Sequence, residues 1–166
     1  MGIFDIFKKS KVDDDKDKGI LSPTNGELLE ITQVPDQVFS QKLMGDGFAM
    51  KSNDGIILSP VNGIVEMVFE TKHAIGLKTS DGLEVLIHLG IDTVNLRGEG
   101  FKVFVNANDK VKAGDKLIEM DLEFIRNNAT SDISPVIFTN LKENQSVKVI
   151  TGKVSAKEEN RIEIIK

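Results

Sequence analysis

Two histidines are the whole imidazole complement of this 166-residue chain. His88 interrupts the apolar run EVLIHLGID, Glu84 to Asp92, and His73 lies upstream in FETKHAIGLKTSDG. Two neighbouring imidazoles admit three chemistries. A zinc ion at His73 and His88 would want three or four ligands, and only a carboxylate such as Asp92 could be added, so a dedicated metal site is short of donors. General acid–base hydrolysis needs a nucleophile or a metal-bound water that the sequence does not advertise, and there is no cysteine to supply a thiolate. Phosphoryl transfer needs less. One neutral imidazole nitrogen accepts, its other nitrogen is held as N–H by a carbonyl, and a second imidazole donates to the phosphoryl oxygens.

The elements around the histidines must bring them together. In an extended strand Val85, Ile87, Leu89 and Ile91 point one way, and Glu84, Leu86, His88 and Gly90 the other. The first set is the better core face. His88 then sits on the second face beside Leu86 and over Gly90, whose missing side chain leaves room against the ring. The segment carrying His73 turns at Ser80-Asp81-Gly82 and leads straight into the His88 strand. A hairpin with its loop there places residue 73 across from residue 88 or 89. Thr71, two residues before His73, shares its face and can hydrogen-bond one imidazole nitrogen, fixing the tautomer. The plainer reading, a half-buried strand histidine satisfied by a carbonyl, is the commoner fate of a lone histidine. Apolar neighbours that exclude water and offer a docking surface weigh against it.

From Gly19 onward, short apolar segments alternate with turn signals: PTNG, VPDQ, MGDG, SNDG, PVNG, TSDG, RGEG, NAND and KAGD. That spacing predicts an all-β protein, an antiparallel sandwich or barrel with one or two short helices. Asp121 to Ser131, DLEFIRNNATS, is the one clearly helical segment, with Asp121 as N-cap and Leu122, Ile125 and Ala129 at helical spacing. LSPTNGELLEI and LSPVNGIVEMV repeat L-S-P-x-N-G before a strand, at Leu21 and again at Leu58. Two such starts suggest two quasi-equivalent halves packed face to face, where independent surface turns are the alternative.

Composition narrows the class. Hydrophobic residues make up 40% and charged residues 28%, as in ordinary globular proteins, and the absence of cysteine suits a reducing cytoplasm. No apolar run approaches a membrane span. A net charge of −5 with scattered Lys and Arg argues against nucleic acid and leaves basic protein partners plausible. Residues 1–18 stand apart as a tail before a domain at 19–166. MGIFDIFKKSK is too short and charged for a signal peptide and lacks the myristoylation pattern. It is either a disordered tail or a short amphipathic helix giving weak peripheral membrane contact through Ile3, Phe4 and Phe7.

At IHLGIDTVNLRGEGF, Ile87 to Phe101, a resemblance becomes specific. The chain resembles the glucose-type enzyme IIA component of the bacterial phosphoenolpyruvate-dependent sugar phosphotransferase system. The likeness extends through MGIFDIFKK, SPTNGELLEI, VPDQVFSQKLMGDGFAMK, the long run from SPVNG to Phe101, and VKAGDKLIEMDL. It implies a six-stranded antiparallel barrel-sandwich hybrid and no required cofactor. It implies that His88 takes a phosphoryl group from the histidine phosphocarrier protein and passes it to a cysteine on the IIB domain of a membrane sugar transporter. Carried over residue by residue, His73 stabilises the phosphoryl group, Thr71 orients His73, and the Gly90 carbonyl holds the far nitrogen of His88. Asp36, Val38, Phe39, Phe69, Leu86, Asp92 and Val94 fall on the partner-docking surface, the acids facing basic residues of the phosphocarrier. Relatives also regulate permeases and metabolic kinases. Ile75, Leu86 and Leu89 stand where relatives often carry Phe.

Two rivals compete with this. AMKSNDGIILSPVNGIV, Ala49 to Val65, echoes a biotinyl- or lipoyl-carrier pattern with Lys51 as the modified residue, although Ser52 replaces the usual second Met. A zinc-dependent hydrolase would use His88 and Asp92, but no His-x-His partner accompanies them.

Overall fold

The computed structural model describes residues 19–166. The tail residues Ile3, Phe4 and Phe7 lie outside the described part. Thirteen strands follow in chain order. They are β1 (Gly26–Glu30), β2 (Asp46–Ser52), β3 (Ile56–Leu58), β4 (Gly63–Val68), β5 (Ala74–Lys78) and β6 (Glu84–His88), then β7 (Phe101–Val103), β8 (Lys110–Val111), β9 (Lys116–Met120), β10 (Ser134–Phe138), β11 (Ser146–Val149), β12 (Gly152–Val154) and β13 (Ile162–Ile165). The helices are α1 (Gln37–Ser40) and α2 (Leu122–Asn128), with 3-10 turns at Ile31–Gln33 and Thr93–Leu96. Asp121 caps α2 as its sequence predicts, accepting from the Phe124 amide, and the helix stops at Asn128, short of Ser131.

All pairing is antiparallel. An eight-stranded sheet runs β12-β1-β2-β10-β6-β5-β4-β8, with a three-stranded sheet β3-β9-β7 and the pair β11-β13. The large sheet is open, since its edge strands β12 and β8 do not meet, so the molecule is a sandwich and not a closed barrel. Six-stranded sheets are not what forms. The short strands β8 and β12 pair with β4 and β1 and widen the sheet to eight.

Alternation divides the apolar residues between two clusters. Leu28, Phe48, Met50, Val85, Ile87, Val136 and Phe138 face a main core shared with Ile57, Leu117 and Ile118 of the small sheet. Their neighbours Leu29, Ala49, Leu86 and Ile137 face the opposite side, which Ile31, Val34 and Phe39 cover. Residues 31–40 thus form a lid on the outer face of the large sheet, and burying that face is what holds α1 in place.

The L-S-P-x-N-G repeat is a true pseudo-twofold. Leu21 N–H donates to Pro60 O, and Leu58 N–H donates to Pro23 O, so the two copies interlock reciprocally. Ser22 and Ser59 each donate a hydroxyl to the carbonyl two residues on. Asn25 and Asn62 each accept a backbone amide at 2.7 Å, from Ala156 and Ala113 respectively. Gly26 faces Val154 across the ladder as Gly63 faces Val111. A Cβ at either glycine would strike a lysine carbonyl, Lys51 O at 2.0 Å or Lys78 O at 2.4 Å. Both copies therefore need Gly where the following strand begins.

Candidate active site

The β5–β6 hairpin turns at residues 79–82, where Thr79 and Leu83 pair and Gly82 N–H closes onto Thr79 O. Its register puts Ala74 opposite His88, and Leu89 N–H donates to His73 O at 2.7 Å. The two imidazoles consequently meet, ring centroids 5.1 Å apart and nearly perpendicular. Phe69 lies edge-on to His73 at 5.4 Å, and Phe39 from α1 tilts against His88 at 4.9 Å.

Each ring is oriented by a different partner. Thr71 Oγ1 hydrogen-bonds Nδ1 of His73. Nδ1 of His88 lies 2.8 Å from the Gly90 carbonyl, which can only accept, so this nitrogen carries the proton. Nε2 of His88 is then the nitrogen with the lone pair. Burial pushes the His88 pKa below its ordinary value, against the Gly90 carbonyl and the carboxylates of Asp36 and Asp92, which favour the cation. His73, 6% exposed, is lowered first by burial and then by the charge of His88. Both rings are accordingly neutral at pH 7, as a nitrogen nucleophile requires.

Gly90 departs from the sequence expectation in two ways. Its φ of +74° lies in the left-handed region. This ends the strand and breaks the period of two, so Ile91 turns away from Val85, Ile87 and Leu89 and joins Phe39 and Ile137 in the outer cluster. Nor is the space beside it reserved for the imidazole. A Cβ there would meet Thr93 Cγ2 at 2.7 Å and the Ser131 carbonyl at 2.9 Å.

The residues expected to dock partners surround the ring pair unequally. Asp36 caps α1 by accepting from Val38 N–H, and Val38 and Val94 are 43% and 48% exposed. Asp92 is exposed and accepts from the Thr130 hydroxyl. Leu86 and Phe69 are half-buried, whereas Phe39 is buried and serves as a wall of the site. Sequence reasoning missed Leu43 and Met44, 69% and 41% exposed. They follow α1 in the turn where Leu43 N–H bonds Val38 O, extending the apolar rim. Two large apolar residues inside a turn, LMGDG, were the available signal.

Among the described residues no group of three or more His, Cys, Asp and Glu is placed to hold a metal ion, so the ligand set of a zinc hydrolase is not assembled. Lys51 is an exposed lysine within β2, paired across the ladder with Glu27.

Residues 18–144 match the family model described as phosphoenolpyruvate-dependent sugar phosphotransferase system, EIIA 1. The chain is 46% identical over 157 residues to the "PTS system glucose-specific EIIA component" of Staphylococcus epidermidis, covering 95% of this chain and 94% of that protein. The Staphylococcus aureus protein of the same name matches at 46% over the same span. Among solved structures, glucose permease IIA from Mycoplasma capricolum superposes with a TM-score of 0.81 at 38% identity, covering 86% of this chain and 93% of that one. Neither the biotinyl-carrier nor the hydrolase reading draws support from these relatives. By family model, by sequence over nearly its full length and by fold, the chain belongs to the EIIA 1 family of the phosphoenolpyruvate-dependent sugar phosphotransferase system.

Proposed function

We propose that His88 is the phosphoryl acceptor of this phosphocarrier, with a glucose-type transporter as the destination. Nε2 of His88 attacks the phosphorus of the phosphoimidazole on the histidine phosphocarrier protein. The new N–P bond forms as the donor's N–P bond breaks, the electron pair returning to the donor nitrogen. In the second step a cysteine thiolate of a IIB domain attacks the same phosphorus, and the pair returns to Nε2. His73, oriented by Thr71, faces the transferring group and donates to its oxygens. The observation that carries this reading is the hydrogen bond from His88 Nδ1 to Gly90 O, beside a second imidazole within an apolar rim. Positive charge builds on the His88 ring as Nε2 bonds phosphorus, and the Gly90 carbonyl, Asp36 and Asp92 stabilise that charge.

The exposed residues Val38, Val94, Leu43 and Met44, with Asp36 and Asp92, are the docking face for a basic phosphocarrier surface and then for IIB. Residues 19–166 constitute the IIA domain. It works in the cytoplasm, where Ile3, Phe4 and Phe7 followed by Lys8, Lys9 and Lys11 support weak contact with anionic lipid. Sedimentation with anionic vesicles, comparing the full chain with one lacking residues 2–18, tests that contact.

Radiolabel from phosphoenolpyruvate, delivered through the upstream components, tests the acceptor. The label is expected to be acid-labile and base-stable and to map to the His88 peptide. His88→Ala should abolish it. His73→Gln should still load but deliver poorly to IIB, because donation relies on the second ring more than acceptance does. Equal loss in both half-reactions contradicts that division.

A further inference from the structure

Behind the Gly90 turn lies a buried hydroxyl to which the transfer chemistry assigns no role. Ser134, 2% exposed, accepts the Gly90 amide at 3.0 Å. Its own proton is directed to the Asp132 carbonyl at 3.1 Å, with Met120 Sδ more distant at 3.9 Å. The next peptide is tied on its far side, since Ile91 N–H donates to Ser131 O at 2.9 Å. Gly90 therefore has its amide on Ser134, its carbonyl on His88, and the following amide on Ser131.

That arrangement matters because glycine does not choose its own conformation. A residue with φ of +74° and no Cβ can rotate into several wells, and its carbonyl would swing with it. Something outside the turn must fix the carbonyl's direction. Ser134 is suited to this, since it opens β10, and β10 pairs with β6 through Val136 and Ile87 next to the histidine itself. The preceding segment is pinned as well: Arg126 Nε on α2 donates to the largely buried carboxylate of Asp132 at 2.7 Å.

We propose that Ser134 is a positioning residue for phosphoryl transfer, holding the Gly90 carbonyl on His88 Nδ1 so that Nε2 keeps its lone pair, with the Arg126–Asp132 ion pair securing the segment that bears it. The inference rests on the reading of His88 as acceptor. Long-range proton–nitrogen spectra of the unphosphorylated full chain report the His88 tautomer without any transfer reaction. The unsubstituted protein should show Nδ1–H. Ser134→Ala should give a mixture of tautomers and slow loading about tenfold at saturating donor, with little change in the donor concentration needed. Ser134→Thr, which keeps the hydroxyl, should restore both readouts.

Arg126→Gln provides a second variant that leaves Ser134 in place, and should move tautomer and rate in the same direction by less. If Ser134→Ala and Arg126→Gln lower only the melting temperature while the tautomer stays Nδ1–H, the inference is wrong. If instead the unsubstituted chain takes no label at His88, the acceptor reading fails whatever the tautomer of the variants.

Discussion

At His88 two influences on the ring oppose one another. Burial disfavours the cation, while the Gly90 carbonyl and the carboxylates of Asp36 and Asp92 favour it, and burial prevails. A ring poised this way suits the proposed attack, neutral beforehand and facing compensating carboxylates for the charge that bonding to phosphorus would build. The same imbalance makes folding sensitive to acid. Both histidines have folded-state pKa values below the ordinary 6.5. The unfolded chain therefore takes up protons first as pH falls. The histidine contribution to stability is whole above about pH 6.5 and is lost as pH drops through that value toward the folded pKa values. Urea midpoints measured from pH 8 to pH 5 should fall across this window, and His73→Gln with His88→Gln should flatten the fall. An unchanged slope in the double variant would place the effect on carboxylates.

Element by element, α1 and the chain leading to it divide the labour between rim and wall. Val38 projects outward, while Phe39, on the next residue, is buried against His88 and Ile137. Val38→Asp should leave stability within about 0.5 kcal/mol and weaken phosphocarrier binding, whereas Phe39→Ala should cost roughly 3 kcal/mol or more from lost packing. Titration calorimetry and denaturant unfolding on the two variants distinguish them. The reverse pattern would mean that α1 is not seated as described. The elements also explain what the sequence could and could not disclose. The β5–β6 hairpin, the Thr71–His73 pair and the Asp121 cap were legible because each depends on residues close in the chain. Ile91 was misplaced because a period of two cannot register the left-handed Gly90 that ends it. The segment 130–134 behind Gly90 was invisible, since its bonds to residues 90–92 join partners about forty positions apart, and no local pattern encodes them.

Across the whole molecule the pseudo-twofold supplies the scaffold. Reciprocal bonds between Leu21 and Pro60 and between Leu58 and Pro23 lock one half to the other, and the two asparagines repeat the same anchor to the segments at 156 and 113. Asn25→Ala and Asn62→Ala should thus each cost about 1 kcal/mol or less, since one anchor is exposed and the other half-buried and water can reach the freed amides, with neither changing the rate of loading. A large asymmetry between them, seen by denaturant unfolding, would show that the resemblance of the halves is geometric only. Both histidines belong to the half built from β4, β5 and β6, and the chain has no other imidazole and no thiol. Symmetry of the frame has not been carried into the cargo. However long the protein is incubated with excess donor, intact mass spectrometry should record an increment of one phosphate and never two, so that the charged pool counts molecules one for one.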